Sequence, residues 1–257
     1  MAGGEHDRQT PRQDDGTARQ DGERVPPEYG ETWVYESIIG ALPGIHISPT
    51  VALAIQFVGF EVAILLLAWY YQLWTAAIAG TIAVAVATVG SAEMLRIARV
   101  TRGEDVPDAY RRLLFSSNVE VVLSVLAYIA LITHLFVWDP RTATEPLVTR
   151  LFGTEPPILV VYLMLLILWD VCYRIGTGWW ASITALWRSA RFRFDAETRR
   201  SLRRADLEAF GFGLLQLAFV PFLLDQPVLL AAVVGHVIAV LTVTGLAVAL
   251  PRIRREN

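Results

Sequence analysis

Long runs of apolar residues, separated by short polar stretches, dominate the chain from residue 51 onward. The hydrocarbon core of a bilayer is about 30 Å thick, and an α-helix needs roughly 20 apolar residues to cross it. Six runs meet or approach this length, at residues 51–70, 76–95, 117–137, 158–180, 210–224 and 228–250. The pattern therefore predicts an all-α polytopic membrane bundle with six transmembrane helices, spanning residues 49–250. The last two runs could instead form a re-entrant pair, although their combined length favours two crossings.

Segments rich in arginine alternate along the chain with segments that are poor in it. The segments after the second and the fourth run and the end of the chain are rich in arginine, whereas the intervening loops carry only Arg141 and Arg150. Cytoplasmic loops of membrane proteins accumulate positive charge. We therefore expect a protein of the cell membrane with both termini in the cytoplasm and with a basic cytoplasmic tail at 251–257.

The segment that precedes the first apolar run has two parts. Residues 1–30 are acidic and nearly devoid of apolar side chains, so they cannot bury enough surface to offset the entropy of ordering. They are predicted to form a disordered cytoplasmic tail. In residues 31–48, Val34, Ile38 and Leu42 recur every fourth position. This spacing predicts an amphipathic helix that lies on the inner leaflet.

A second amphipathic pattern lies between the fourth and the fifth run. Asp195 can accept hydrogen bonds from the first backbone N–H groups of a helix, which favours a helix over about 195–209. Four arginines recur at intervals of three and four on one face of this helix, and such a face is typical of contact with anionic lipid headgroups. They are Arg199, Arg200, Arg203 and Arg204. Membrane lipids are thus the expected partners of this helix, and a nucleic acid is not needed to explain it.

Charged side chains at membrane depth are costly and call for a partner or a purpose. Glu61 lies in the middle of the first run, and Asp170 and Arg174 are one helical turn apart in the fourth. Together with Glu120 they form the candidate intramembrane polar cluster. One hypothesis is an ion or proton pathway in which Glu61 titrates and Arg174 is the fixed counter-charge. The other is a buried network of salt bridges that only sets the register of the helices.

The composition excludes several kinds of chemistry. Only 18% of the residues are charged, against about 25% in a typical soluble domain. All 22 basic residues are arginine, so a Walker A nucleotide site and the lysine Schiff base of pyridoxal or retinal proteins are excluded. Cys172 is the single cysteine, and no histidine has a second ligand one turn away. We predict no catalytic residues, no metal site and no cofactor, and we do not expect an enzyme.

Two stretches carry a resemblance to a known group of proteins. They are Tyr-Gly-Glu-Thr-Trp-Val-Tyr-Glu-Ser at 29–37 and Trp-Asp-Val-Cys-Tyr-Arg at 169–174. With the replacement of every lysine by arginine, they make the chain resemble a group of uncharacterised haloarchaeal integral membrane proteins. The resemblance implies a multi-pass membrane protein and no particular activity.

Two functional classes fit these patterns. The first is a non-catalytic membrane subunit or scaffold that recruits lipid, a protein partner or a second copy of itself. The alternative is a small ion- or proton-coupled carrier or channel that uses the buried Glu, Asp and Arg side chains.

Overall fold

The computed structural model describes Trp33 and residues 48–256, and in these ranges the chain forms helices and no β-strand. In chain order the helices are α1 (Pro49–Tyr71), α2 (Trp74–Gly103), α3 (Asp108–Phe115), α4 (Val119–Thr133), a π-helical turn (His134–Trp138), α5 (Asp139–Thr142), α6 (Leu147–Phe152), α7 (Ile158–Arg191), α8 (Ala196–Leu215), a 3₁₀ turn (Gln216–Phe219), α9 (Val220–Leu223) and α10 (Pro227–Glu256). The predicted disordered tail at 1–30 and nearly all of the predicted amphipathic segment at 31–48 lie outside the described residues.

Six stretches of the described chain are helices long and apolar enough to cross a membrane. They are Pro49–Tyr71, Trp74–Gly103, Asp108–Thr142, Ile158–Arg191, Ala196–Leu223 and Pro227–Leu250. Each contains or overlaps one of the six predicted runs, which confirms the all-α class and the number of candidate crossings. The sixth stretch continues as helix to Glu256, into the predicted basic tail.

The helix ends differ from the predicted ones. The helices α2 and α7 extend well beyond the second and the fourth apolar run, to Gly103 and Arg191. The predicted Arg-rich helix and the start of the fifth apolar run form a single helix, α8. The physical reason is that the extended ends are packed: Thr101 of α2 and Arg188 and Ser189 of α7 are all buried. Tertiary contacts therefore hold as helix the residues that composition alone assigns to loops.

The core is built around α2 and α7. The helix α7 packs against α2, α4 and α10, and α2 also packs against α1 and α8. By contrast, α1 leaves half of its apolar side chains exposed, among them Leu66, which is 59% exposed. The exposed faces are thus on the outside of the bundle.

Trp33 belongs to this core although it precedes the first helix. Its side chain is fully buried, and its indole N–H donates to the carbonyl oxygen of Met94 at 3.2 Å. Its ring meets Phe115 edge to face, with ring centroids 5.0 Å apart. This residue of the predicted amphipathic segment is therefore packed inside the protein, and not against lipid.

The helices α4 and α7 approach closely at Gly176. A Cβ atom built on Gly176 would lie 3.0 Å from the backbone nitrogen of Ser124 and 3.1 Å from its Cα, and it would collide with its Oγ. Small residues that let two backbones approach are the usual means of packing helices in a membrane. The absence of a side chain at Gly176 is thus a requirement of this crossing.

We expect Gly176→Ala to destabilise the bundle by about 1–3 kcal/mol, because the backbone of α4 would have to move away. Unfolding of the purified protein in detergent, followed by circular dichroism, measures the change. Gly59→Ala is the matched control, since a Cβ atom there meets nothing within 4 Å. This control should be neutral or stabilising by up to about 1 kcal/mol. Equal stability of both variants would contradict the close approach.

Candidate functional site

Asp170 and Arg174 of the predicted cluster form one ion pair on α7. A guanidinium Nη2 of Arg174 donates to Asp170 Oδ1 at 2.8 Å, and Gln56 of α1 donates its amide to Asp170 Oδ2 at 2.7 Å. Arg174 is only 1% exposed, and its Nη1 lies 3.6 Å from the sulfur of Met94. The carboxylate of Asp170 is therefore satisfied by a charge on its own helix and by an amide from another.

Glu61 has a different partner. Thr81 of α2 donates its hydroxyl to Glu61 Oε2 at 3.0 Å, which links α1 to α2. The second oxygen of Glu61, Oε1, is buried and has no hydrogen-bond partner among the described residues. Glu61 thus lies apart from the Asp170–Arg174 pair.

Glu120 forms a third, separate position. Its side chain is only 1% exposed, and its Oε2 finds no hydrogen-bond partner in the described part of the chain. Ser124, one turn further along α4, donates to the carbonyl oxygen of Glu120 at 2.5 Å. The four predicted cluster residues therefore occupy three places, of which only the Asp170–Arg174 pair is joined by a direct contact.

The four predicted cluster residues do not line any of the four best-defined cavities among the described residues. In the same described ranges no three His, Cys, Asp or Glu side chains come together to hold a metal ion. Glu120 and Arg174 are buried, whereas Glu61 and Asp170 are partly exposed.

A second buried ion pair was not foreseen. Arg188 of α7 donates to both carboxylate oxygens of Asp206 on α8, at 2.6 and 2.9 Å, and to the hydroxyl of Tyr110 on α3 at 3.0 Å. The residues Arg188, Asp206 and Tyr110 are 3%, 6% and 1% exposed. One guanidinium thus joins three helices.

The sequence does contain a signal for this pair. Arg188 follows Ala181 by seven residues and Ala185 by three, and these two residues are buried on the same face of α7. Likewise, Asp206 lies between Leu202 and Ala209 on the buried face of α8. Helical phase therefore marks both charges as inward-facing, whereas a count of arginines by loop assigns Arg188 to the solvent.

The Arg-rich stretch surrounds a cavity. Asp195 caps α8 as predicted, because its Oδ1 accepts from the backbone N–H groups of Glu197 and Thr198 at 2.8 and 3.0 Å. The same bonds lower the pKa of the Asp195 carboxyl.

Of the four arginines predicted to contact lipid, Arg204 points away from the cavity beside α8. The other three, Arg199, Arg200 and Arg203, line this cavity together with Arg193, and its volume is about 460 Å³.

These features define an all-α protein with six helices compatible with membrane crossing, held together by internal ion pairs. The chain belongs to DUF7530, a family of unknown function, whose profile matches residues 28–247. Neither a curated protein nor a solved structure matches the chain.

The buried Arg188–Asp206 ion pair predicts that Asp206→Asn strongly lowers the stability of the fold. Removing the carboxylate leaves the guanidinium of Arg188 buried with a weaker partner, and breaking a buried pair in this way costs about 3–5 kcal/mol. The matched control is Asp225→Asn, because Asp225 forms an ion pair with Arg150 while its own side chain is 81% exposed. The control should lose only about 0–1 kcal/mol. Denaturation of both variants in mixed micelles measures the difference, and equal losses would be evidence against the role of Arg188.

Proposed function

We propose that this chain is a non-catalytic subunit or scaffold of the cell membrane, which crosses the bilayer six times with both termini in the cytoplasm. The observation that carries the proposal is that the two buried arginines each pair with an aspartate inside the bundle. Asp170 is bound by Arg174 and by Gln56, and Asp206 is bound by Arg188, which also donates to Tyr110. A carrier or a channel needs polar groups that face a path for its substrate.

The exposed apolar surface supports the membrane location. Ile55 and Leu66 on α1, and Leu126 and Ile129 on α4, are each more than half exposed. Soluble proteins rarely leave so large an apolar surface uncovered. Lipid, a partner helix or a second copy of the chain would cover it.

The position of the arginines supports the orientation. Arg96, Arg99 and Arg102 lie at the end of α2, and Arg188 and Arg191 at the end of α7. Those two ends, the start of α8 and the end of α10 fall on one side of a six-crossing bundle. Positive charge at cytoplasmic ends would place this side inside the cell.

The absence of lysine supports a further proposal, which concerns the organism that the protein comes from. All 22 basic residues are arginine and the formal net charge is −3. Together with the stretches at 29–37 and 169–174, this pattern supports an origin in a halophilic archaeon.

A scaffold acts through the molecules that it binds, so the test measures the oligomeric state and the bound partners of the protein after extraction from the membrane. Extracted in a mild detergent and weighed by native mass spectrometry, the chain should form a complex of fixed stoichiometry, either with a partner protein or with itself. The complex should persist on dilution. A stable solitary monomer at every concentration would contradict the scaffold role.

One observation favours the alternative, a small ion- or proton-coupled carrier or channel. Glu61 Oε1 and Glu120 Oε2 are buried without a hydrogen-bond partner in the described structure, as in groups that accept and release a proton. In proteoliposomes with a proton gradient, this alternative requires flux that Glu61→Gln lowers by about tenfold or more. The exposed Glu145→Gln is the control and should leave the flux unchanged. Equal flux with all three proteins would remove Glu61 from any pathway.

A further inference from the structure

The cavity beside α8 has the composition of an anion-binding site. It lies between the ends of α7 and α10 and the start of α8, and its volume is about 460 Å³. Pockets for small ligands usually have volumes of about 300–1,000 Å³. Its charged lining residues are Arg188, Arg193, Arg199, Arg200, Arg203 and Asp206.

The positive charge in this cavity is not neutralised from within. The single acidic group of the lining, Asp206, is already bound through both oxygens by Arg188. Within the ranges that the structure describes, Arg193, Arg199, Arg200 and Arg203 form no ion pair. The Nε–H of Arg203 is buried and has no acceptor there. Four guanidinium groups thus share one concave surface without a counter-charge.

The walls of the cavity distinguish it from an ordinary solvated face. Phe192, Phe194 and Leu202 line it together with the arginines, and Ala247 and Val248 of α10 close one side. Apolar walls lower the local dielectric constant and strengthen the attraction between a guanidinium and an anion. The N-terminus of α8 adds little to the binding of an anion, because the carboxylate of Asp195 already accepts hydrogen bonds from the first backbone N–H groups of this helix.

We propose that this cavity binds a phosphate group through Arg193, Arg199, Arg200 and Arg203. The planar guanidinium donates paired hydrogen bonds that match the geometry of phosphate oxygens. The phosphate is part of an acidic lipid headgroup or of a soluble phosphate compound. The lipid source rests on the proposed membrane location of the chain, and the soluble source does not.

The test uses the full-length protein in lipid nanodiscs and has one arm for each source. In zwitterionic nanodiscs, inorganic pyrophosphate is titrated in by calorimetry. In the other arm, nanodiscs with and without phosphatidylglycerol are compared by native mass spectrometry for lipid that stays bound. Saturable pyrophosphate binding assigns a soluble ligand, and retained acidic lipid without pyrophosphate binding assigns a headgroup. Either result supports the proposal.

The variants decide whether the binding occurs in this cavity. Arg199→Gln and Arg203→Gln together should weaken binding by roughly tenfold or more, because each removes a charge-assisted hydrogen bond. Arg204→Gln is the matched control, since Arg204 is exposed on the same helix and does not line the cavity. It should change the affinity by less than about twofold.

A variant that leaves the charge unchanged distinguishes loss of binding from loss of folding. Ala196 lines the cavity and is exposed, so Ala196→Phe should fill part of the space and lower the affinity while the unfolding temperature stays unchanged. Three results would overturn the proposal: no binding of either probe by the wild type, unchanged binding by the double variant, or an equal loss with Arg204→Gln. None of these results depends on whether the chain is a scaffold or a carrier.

Discussion

The fold depends on the pairing of buried guanidinium groups on α7. Arg174 and Arg188 lie in one helix at its middle and near its end, and each is nearly inaccessible to solvent. An isolated charge in such a place would cost several kcal/mol, so a partner must be present. Asp206 supplies it from α8, and Asp170 supplies it from α7 itself with the support of Gln56 from α1. The Arg188–Asp206 pair therefore sets the position of α8 along α7, and the hydrogen bond from Gln56 to Asp170 does the same for α1.

The sequence predicts the elements of this fold better than their partners. Apolar runs of the length of a bilayer predict six helices, and the spacing of Asp170 and Arg174 predicts their pairing within one helix. The N-cap at Asp195 can also be predicted directly from the sequence. Each of these features is local, because the residues concerned are at most a few turns apart.

The features that could not be predicted are contacts between helices. Thr81 binds Glu61 and Tyr110 binds Arg188, and in both cases an ordinary polar residue on another helix becomes the partner. The extension of α7 beyond its apolar run has the same origin, because the buried Arg188 keeps its last turns helical. Hydropathy measures only the average polarity of a segment, and it cannot show that a charge at its end is buried against another helix.

We propose that the chain crosses the membrane six times and leaves its Arg-rich ends inside the cell. Replacing Cys172 leaves no cysteine, and new single cysteines at the exposed positions Glu145 and Glu197 would then mark opposite sides of the bundle. A membrane-impermeant maleimide applied to intact cells should label the cysteine at 145 and spare the one at 197 until the membrane is opened. Labelling of position 197 from outside would contradict the account.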